Sequence, residues 1–166
     1  MIIEWVEHPS PIGPINLAVH AGRLCALGFP EHWARKRAAL ERRCGRVEWL
    51  RRDDAADMAR RLAAYFAGDL QALRAVEIDL GGTPFQQRVW TALRRLPPGQ
   101  TASYGELARA IGHATAVRAV GAANGANPVG IVVPCHRVIG ADGSLTGYGG
   151  GIERKRWLLR HEGIDV

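Results

Sequence analysis

The chain has 166 residues, 47% of them apolar, enough for one ordinary domain or two small ones. Its net charge of +6 favours an acidic partner, nucleic acid first, although 20 of the 22 basic residues are arginine and many suit solvated helix faces. No apolar run nears the roughly 20 residues of a membrane helix, and Met1-Ile2-Ile3-Glu4-Trp5 has no basic region leading into a signal core. Cys25, Cys44 and Cys135 are odd in number and widely spaced, unlike a disulfide framework or a C-x-x-C metal clamp. The composition therefore fits a cytoplasmic monomer with reduced thiols and no metal or cofactor.

Residues 2–6 and 12–29 are rich in Ile, Val and Leu and broken by Pro9, Pro11, Gly13, Pro14 and Gly22, the pattern of short antiparallel strands joined by turns. Glu31 to Cys44 reads as a helix. Asp54 to Phe66 places Ala55, Met58, Ala59, Leu62, Tyr65 and Phe66 at helical spacing, and Gly68 stops it. Ala75 to Leu80 alternates as a last strand or an extended linker. The expected boundary is at Gly81-Gly82, dividing an N-terminal α/β domain (residues 1–80) from a mostly helical C-terminal domain (81–166); the fold class is α+β.

In the second half, Thr83-Pro84 is a helix start, a capping hydroxyl followed by proline at the first helical position. Phe85, Val89, Trp90, Leu93 and Leu96 form an apolar stripe that Pro97-Pro98-Gly99 ends. Ser103-Tyr104-Gly105-Glu106 fits a capping box and opens a short helix to about Ile111. A third helix runs from Thr115 to about Asn124, so two short helices joined by a Gly-containing turn make a helix-turn-helix candidate. The second of them carries Ala, Val and Gly with Arg118 as its one long cation. That composition suits close approach to a shallow minor groove better than base reading in the major groove, and it suits helix-on-helix packing equally. Gly149-Gly150-Gly151 lacks the lysine of a phosphate-binding loop and reads as a permissive loop. The last helix runs from Glu153 to about His161, with Trp157 and Leu158 inward.

Pro134-Cys135-His136-Arg137-Val138 is the stretch with chemical content. Proline fixes its own φ and biases the residue before it to extended geometry, so Cys135 is expected at the end of a buried strand Ile131-Val132-Val133, presented in a stiff turn. An unperturbed thiol has a pKa of about 8.5 and burial raises it, so a nucleophilic sulfur needs help. His136 can supply it through a sharp turn or a bridging water, with a carboxylate to orient the imidazole. Spacing does not select that carboxylate among the 16 acidic residues.

The same stretch, with Thr83-Pro84-Phe85-Gln86, Ser103-Tyr104-Gly105, Arg118-Ala119-Val120-Gly121, Ala123-Asn124-Gly125-Ala126-Asn127-Pro128 and Leu145-Thr146-Gly147-Tyr148, strongly resembles the O6-alkylguanine-DNA alkyltransferases over about residues 81–163. The N-terminal half resembles them more loosely, through its strand pattern and Pro11-Ile12-Gly13. The resemblance implies single-turnover transfer of an alkyl group from O6 of guanine in double-stranded DNA to Cys135, with His136 as base, Glu162 as its orienting carboxylate and Asn127 bracing the turn. It implies that Arg118 fills the stack left by a flipped nucleotide and that Tyr104 contacts the flipped base and the rotated phosphate. Val138, Tyr148 and Gly149 would line the base pocket; some relatives carry a hydroxyl where this chain has Gly149. Two other classes stand beside this reading. A non-catalytic binder of alkylated DNA is disfavoured by Cys135, and a helix-turn-helix regulator by the small side chains around Arg118.

Overall fold

The computed structural model describes all of Met1–Val166, which divide into two compact units, Met1–Gly81 and Gly82–Val166. The first is built on a four-stranded sheet of order β3-β2-β1-β4, from β1 (Ile2–His8), β2 (Ile15–His20), β3 (Arg23–Gly28) and β4 (Glu48–Arg51). β1, β2 and β3 run antiparallel, and Ala21-Gly22, both at positive φ (49° and 79°), form the two-residue turn that pairs His20 with Arg23. β4 pairs parallel with β1, Ile3 opposite Trp49. Nothing in the patterning of Glu48-Trp49-Leu50-Arg51 announces a strand: its alternation is four residues long and its ends are charged. Helix α1 (Pro30–Cys44) buries Trp33 and Leu40 against Ile3, Ala18, Cys25 and Ala26.

Helix α2 spans Met58–Phe66, four residues shorter at its start than the periodicity predicts. Ala55, Ala56 and Asp57 lie at φ 43°, 57° and 76°, a left-handed run that helical apolar spacing does not detect. The 75–80 segment pairs only locally, through a parallel bridge of Ile78 with Leu24.

The second unit is mostly helical. α3 (Pro84–Arg94) begins with a complete capping box between Thr83 and Gln86, and α4 (Tyr104–Ala110) with one between Ser103 and Glu106; each N-cap is worth ~1 kcal/mol. α5 spans Val117–Gly125 and α6 Ile152–His161. The Trp90 indole donates to the Ala123 carbonyl at 2.9 Å, fixing α3 against α5. Val89, Leu93, Ala108, Val120, Leu158 and Leu159 are fully buried, each large side chain contributing roughly 1.5–3 kcal/mol. Strands β5 (Ala102–Ser103) and β6 (Val138–Ile139) pair in parallel, Ala102 opposite Val138, which brings the start of α4 beside the chain that follows Cys135.

One expectation is corrected. No strand leads into Cys135: Ile131 and Val132 form a turn, Gly130 bridges to Val133, and the strand β6 follows the cysteine instead. Pro128 and Pro134 lack ladder donors, and the Val133 N–H closes back onto the Val129 carbonyl at 3.0 Å. Ile131 is at φ 74° and buried, a costly conformation for a β-branched residue. The apolar run is buried as a tight loop, which an apolar stretch of three residues does not distinguish from a strand.

Candidate active site

Asn127 organises that loop. Its amide nitrogen donates to the Val133 carbonyl at 2.8 Å and its amide oxygen accepts from the Val129 N–H at 3.0 Å, both buried. With the loop pinned at both ends, the chain enters a 3-10 turn, Cys135–Arg137, whose first N–H returns to the Val133 carbonyl at 2.8 Å. The turn, rather than an extended segment, sends Cys135 and His136 into one buried region. The Cys135 residue is 9% exposed and His136 is sealed; none of the three cysteines is in a disulfide.

His136 Nε2 lies 3.0 Å from Glu162 Oε2, just past the end of α6. Arg137 grips the same carboxylate with two prongs, Nε to Oε1 and Nη2 to Oε2, each at 2.8 Å, and Nη1 donates to the Leu96 carbonyl at 2.5 Å. Burial by itself would raise the Glu162 carboxyl, but the hydrogen bonds from Arg137 and His136 outweigh it and hold the group far below the usual carboxylate range. Glu162 is therefore ionised and can only accept, so Nε2 of His136 carries the proton. Burial pushes His136 itself down, against the pull of Glu162. The imidazole is thus neutral, and its Nδ1 is a bare acceptor with no hydrogen-bond partner in the protein.

Around the sulfur, a Cβ added to Gly130 would lie 3.6 Å from the Tyr148 hydroxyl and 3.9 Å from Cys135 Sγ, so these groups converge on one small space. Burial, and then the nearby Cys135, push the Tyr148 phenol well up, so it is a neutral donor. Tyr104, at the start of α4, sits within van der Waals reach of Gly121 on α5, and its hydroxyl would be 3.4 Å from a Cβ at Gly147. Gly149 is exposed in open space. On α5, Val117, Arg118, Ala119 and Ala122 are exposed, and Arg118 has no ion-pair or hydrogen-bond partner.

Cys135, His136, Glu162, Asn127 and Val138 thus come together in one buried cluster, with Tyr148 at its edge, while Arg118 and Gly149 are at the surface. Two side chains of the cluster escaped the sequence reading. Arg137 was legible only as part of the Pro-Cys-His-Arg motif. Lys155 is completely buried, and its ammonium donates to the Val138 and Thr146 carbonyls at 2.6 Å each. Its one sequence signal was chemical: it is one of only two lysines in a chain whose other cations are arginine. No group of His, Cys, Asp and Glu is arranged to hold a metal ion, and no helix is long and apolar enough to cross a membrane.

A helix-turn-helix carrying an exposed arginine, beside a buried thiol, imidazole and carboxylate, defines a DNA-binding protein with a cysteine nucleophile. Residues 84–164 match the DNA-binding domain of 6-O-methylguanine DNA methyltransferase, and residues 8–80 match its ribonuclease-like domain. The chain belongs to the 6-O-methylguanine DNA methyltransferase family.

A methylated-DNA–protein-cysteine methyltransferase of Mycobacterium tuberculosis is 53% identical over 169 aligned positions, covering 97% of this chain and 93% of that protein. One from Salmonella typhimurium is 63% identical over 103 residues, a match spanning 62% of this chain and 60% of that relative. Among solved structures, Mycobacterium tuberculosis OGT in complex with DNA is similar at TM-score 0.80 and 48% identity, covering 98% of this chain and 92% of that one.

Proposed function

We propose that this protein repairs DNA by moving an alkyl group from O6 of guanine irreversibly onto Cys135, and that it is consumed in doing so. The observation that carries the assignment of roles is the buried His136–Glu162 pair, with a neutral imidazole whose Nδ1 is bare and turned away from the carboxylate. Through a bridging water, Nδ1 takes the thiol proton. The sulfur then attacks the alkyl carbon in line, the S–C bond forms as the C–O6 bond breaks, and the electron pair left on the guanine is neutralised by a proton. Glu162 fixes the tautomer and stabilises the imidazolium that forms.

O6 lies inside a base pair, so the nucleotide must leave the stack, at a cost of a few kcal/mol. Nearly all the excess positive charge of the chain lies in residues 82–166. The exposed small-residue face of α5 suits the minor groove, and the exposed Arg118 fills the vacated stack, a role supported by its being the one long cation on that helix. Tyr104, the Val138 backbone, Tyr148 and Gly149 form the base pocket. Residues 81–166 then carry DNA binding and transfer, with residues 1–80 as a separate domain, and the protein acts as a cytoplasmic monomer.

The test is intact-mass and peptide-mass analysis after incubation with duplex DNA carrying O6-methylguanine. One methyl gained per protein, on the peptide containing Cys135 and lost in Cys135→Ser, is the expected result. Methyl on another residue, or none with DNA still bound, would refute the assignment.

A further inference from the structure

One side of α3 is left open. Val89, Trp90 and Leu93 are buried on the core side, whereas Arg88, Thr91 and Arg95, spaced i, i+3 and i+7 along the helix, are exposed. Between that open side and α4 runs a cleft of about 830 Å³, within the roughly 300–1,000 Å³ of small-molecule sites. Its floor is apolar, with Leu107 buried and Leu96 and Ile111 half-buried. Its walls are rich in donors that the protein does not use. The side chains of Arg95, Thr91, Gln100 and Thr101 make no hydrogen bond or ion pair, and Arg88 makes one contact, from Nη1 to His113 Nε2 at 3.2 Å. The one carboxylate in the wall, Glu106, is taken up by the capping box, where it accepts from the Ser103 N–H at 3.3 Å. Neither the Cys135 cluster nor Arg118 lines this cleft.

We propose that the α3–α4 cleft is a second binding site, for an organic anion with an apolar body. The body covers Leu96, Leu107 and Ile111, and the anionic head lies over Thr91. Residues three and four apart are neighbours on a helix surface, so a head at Thr91 has Arg88 on one side and Arg95 on the other. Two charge-assisted hydrogen bonds and a hydroxyl then satisfy a phosphate or a carboxylate. Removing the apolar body from water adds affinity that a bare inorganic anion does not gain. The same lining rejects cations, because it offers two guanidiniums and a carboxylate already engaged. Nucleoside phosphates and acyl carboxylates share the required chemistry.

The experiment uses the full chain and the fluorescent aromatic sulfonate anilinonaphthalene sulfonate. Wild type should bind the probe saturably, one molecule per chain, and the double variant Arg88→Gln/Arg95→Gln should bind it at least about tenfold more weakly. The variant should keep its melting temperature and its single-turnover transfer from alkylated duplex DNA, since both residues lie outside the core and the active-site cluster. Competition then separates the two sources. Displacement of the probe by ADP assigns the cleft to nucleoside phosphates, and displacement by decanoate assigns it to acyl carboxylates.

Displacement by neither overturns the proposal. Equal probe binding by wild type and variant overturns it as well, as does a titration that never saturates. Competitive displacement by unmodified duplex DNA would make the cleft part of the DNA footprint and refute a separate site. Should the double variant not fold, amide NMR of wild type decides: shifts on adding the probe must fall on residues 84–96 and 100–111, and shifts confined to other residues refute the assignment.

Discussion

Glu162 serves two partners at once, and Glu162→Gln separates them. The carboxylate accepts three hydrogen bonds, two from Arg137 at 2.8 Å and one from His136 at 3.0 Å. A glutamine has one acceptor oxygen and no charge: with that oxygen in the place of Oε2 it can accept from both His136 and Arg137 Nη2, but its NH2 then faces the Arg137 Nε donor, and the guanidinium, 6% exposed, is left without its counter-charge. Breaking a buried pair by removing one partner costs about 3–5 kcal/mol. The expected result is a loss of about that size in urea unfolding followed by tryptophan fluorescence. Arg137→Met should cost a similar amount, because it leaves Glu162 buried and ionised beside a neutral imidazole. The double variant should cost much less than the sum, since neither charge is then stranded. Additivity to within about 0.5 kcal/mol would refute the pairing as the source of the loss. His136→Ala removes the base without stranding a charge pair, so it should lose transfer rate out of proportion to stability, the reverse of Arg137→Met.

Arg118→Ala should slow transfer from alkylated duplex DNA at least tenfold more than transfer from the free base O6-benzylguanine, which needs no extrusion; equal losses in single-turnover rates would place Arg118 in the fold or pocket instead. Stability should fall with acid in two stages. His136 is depressed in the folded protein, so its contribution is complete above the unfolded value of about 6.5 and declines as pH drops through it, and Glu162 adds a second loss below about 4.3, the unfolded carboxyl value. A melting temperature that is flat from pH 7 to pH 3 would contradict both. Because His136 stays neutral below its ordinary range, the acid limb of the transfer rate should lie below pH 6.5.

What the sequence made legible was whatever is written locally. Both capping boxes, the proline at the start of α3 and the glycine-marked turns depend on residues within four positions of one another, and they survive in the structure with their hydrogen bonds. β4 was invisible because its pairing with β1 joins residues some 46 apart, Ile2 with Glu48, and its own pattern is too short to carry a period. The loop before Cys135 was misread because burial and strand pairing give the same apolar run, and only the Asn127 clamp decides between them. At the site, chemistry-bearing residues announced themselves by type, whereas their partnerships did not. Spacing offered no way to join Glu162 to His136 across 26 positions, and the resemblance to a known family supplied that link before the fold did.

The arrangement also explains why one thiol out of three is singled out. Cys25 is buried in the first unit, where burial pushes its thiol up and leaves it an inert core residue. Cys135 is buried too, at 9% exposure, but it stands at the start of a turn and is followed by a neutral imidazole with a bare nitrogen. Burial alone makes a cysteine unreactive. Burial beside a proton acceptor changes that outcome, because the thiol then has a group to which it can pass its proton. The same logic requires the cluster to be rigid, since the sulfur and its proton acceptor have to keep their alignment. The Asn127 clamp, the two carbonyl bonds of Lys155 and the two-pronged Arg137–Glu162 pair supply that rigidity from three different segments of the chain.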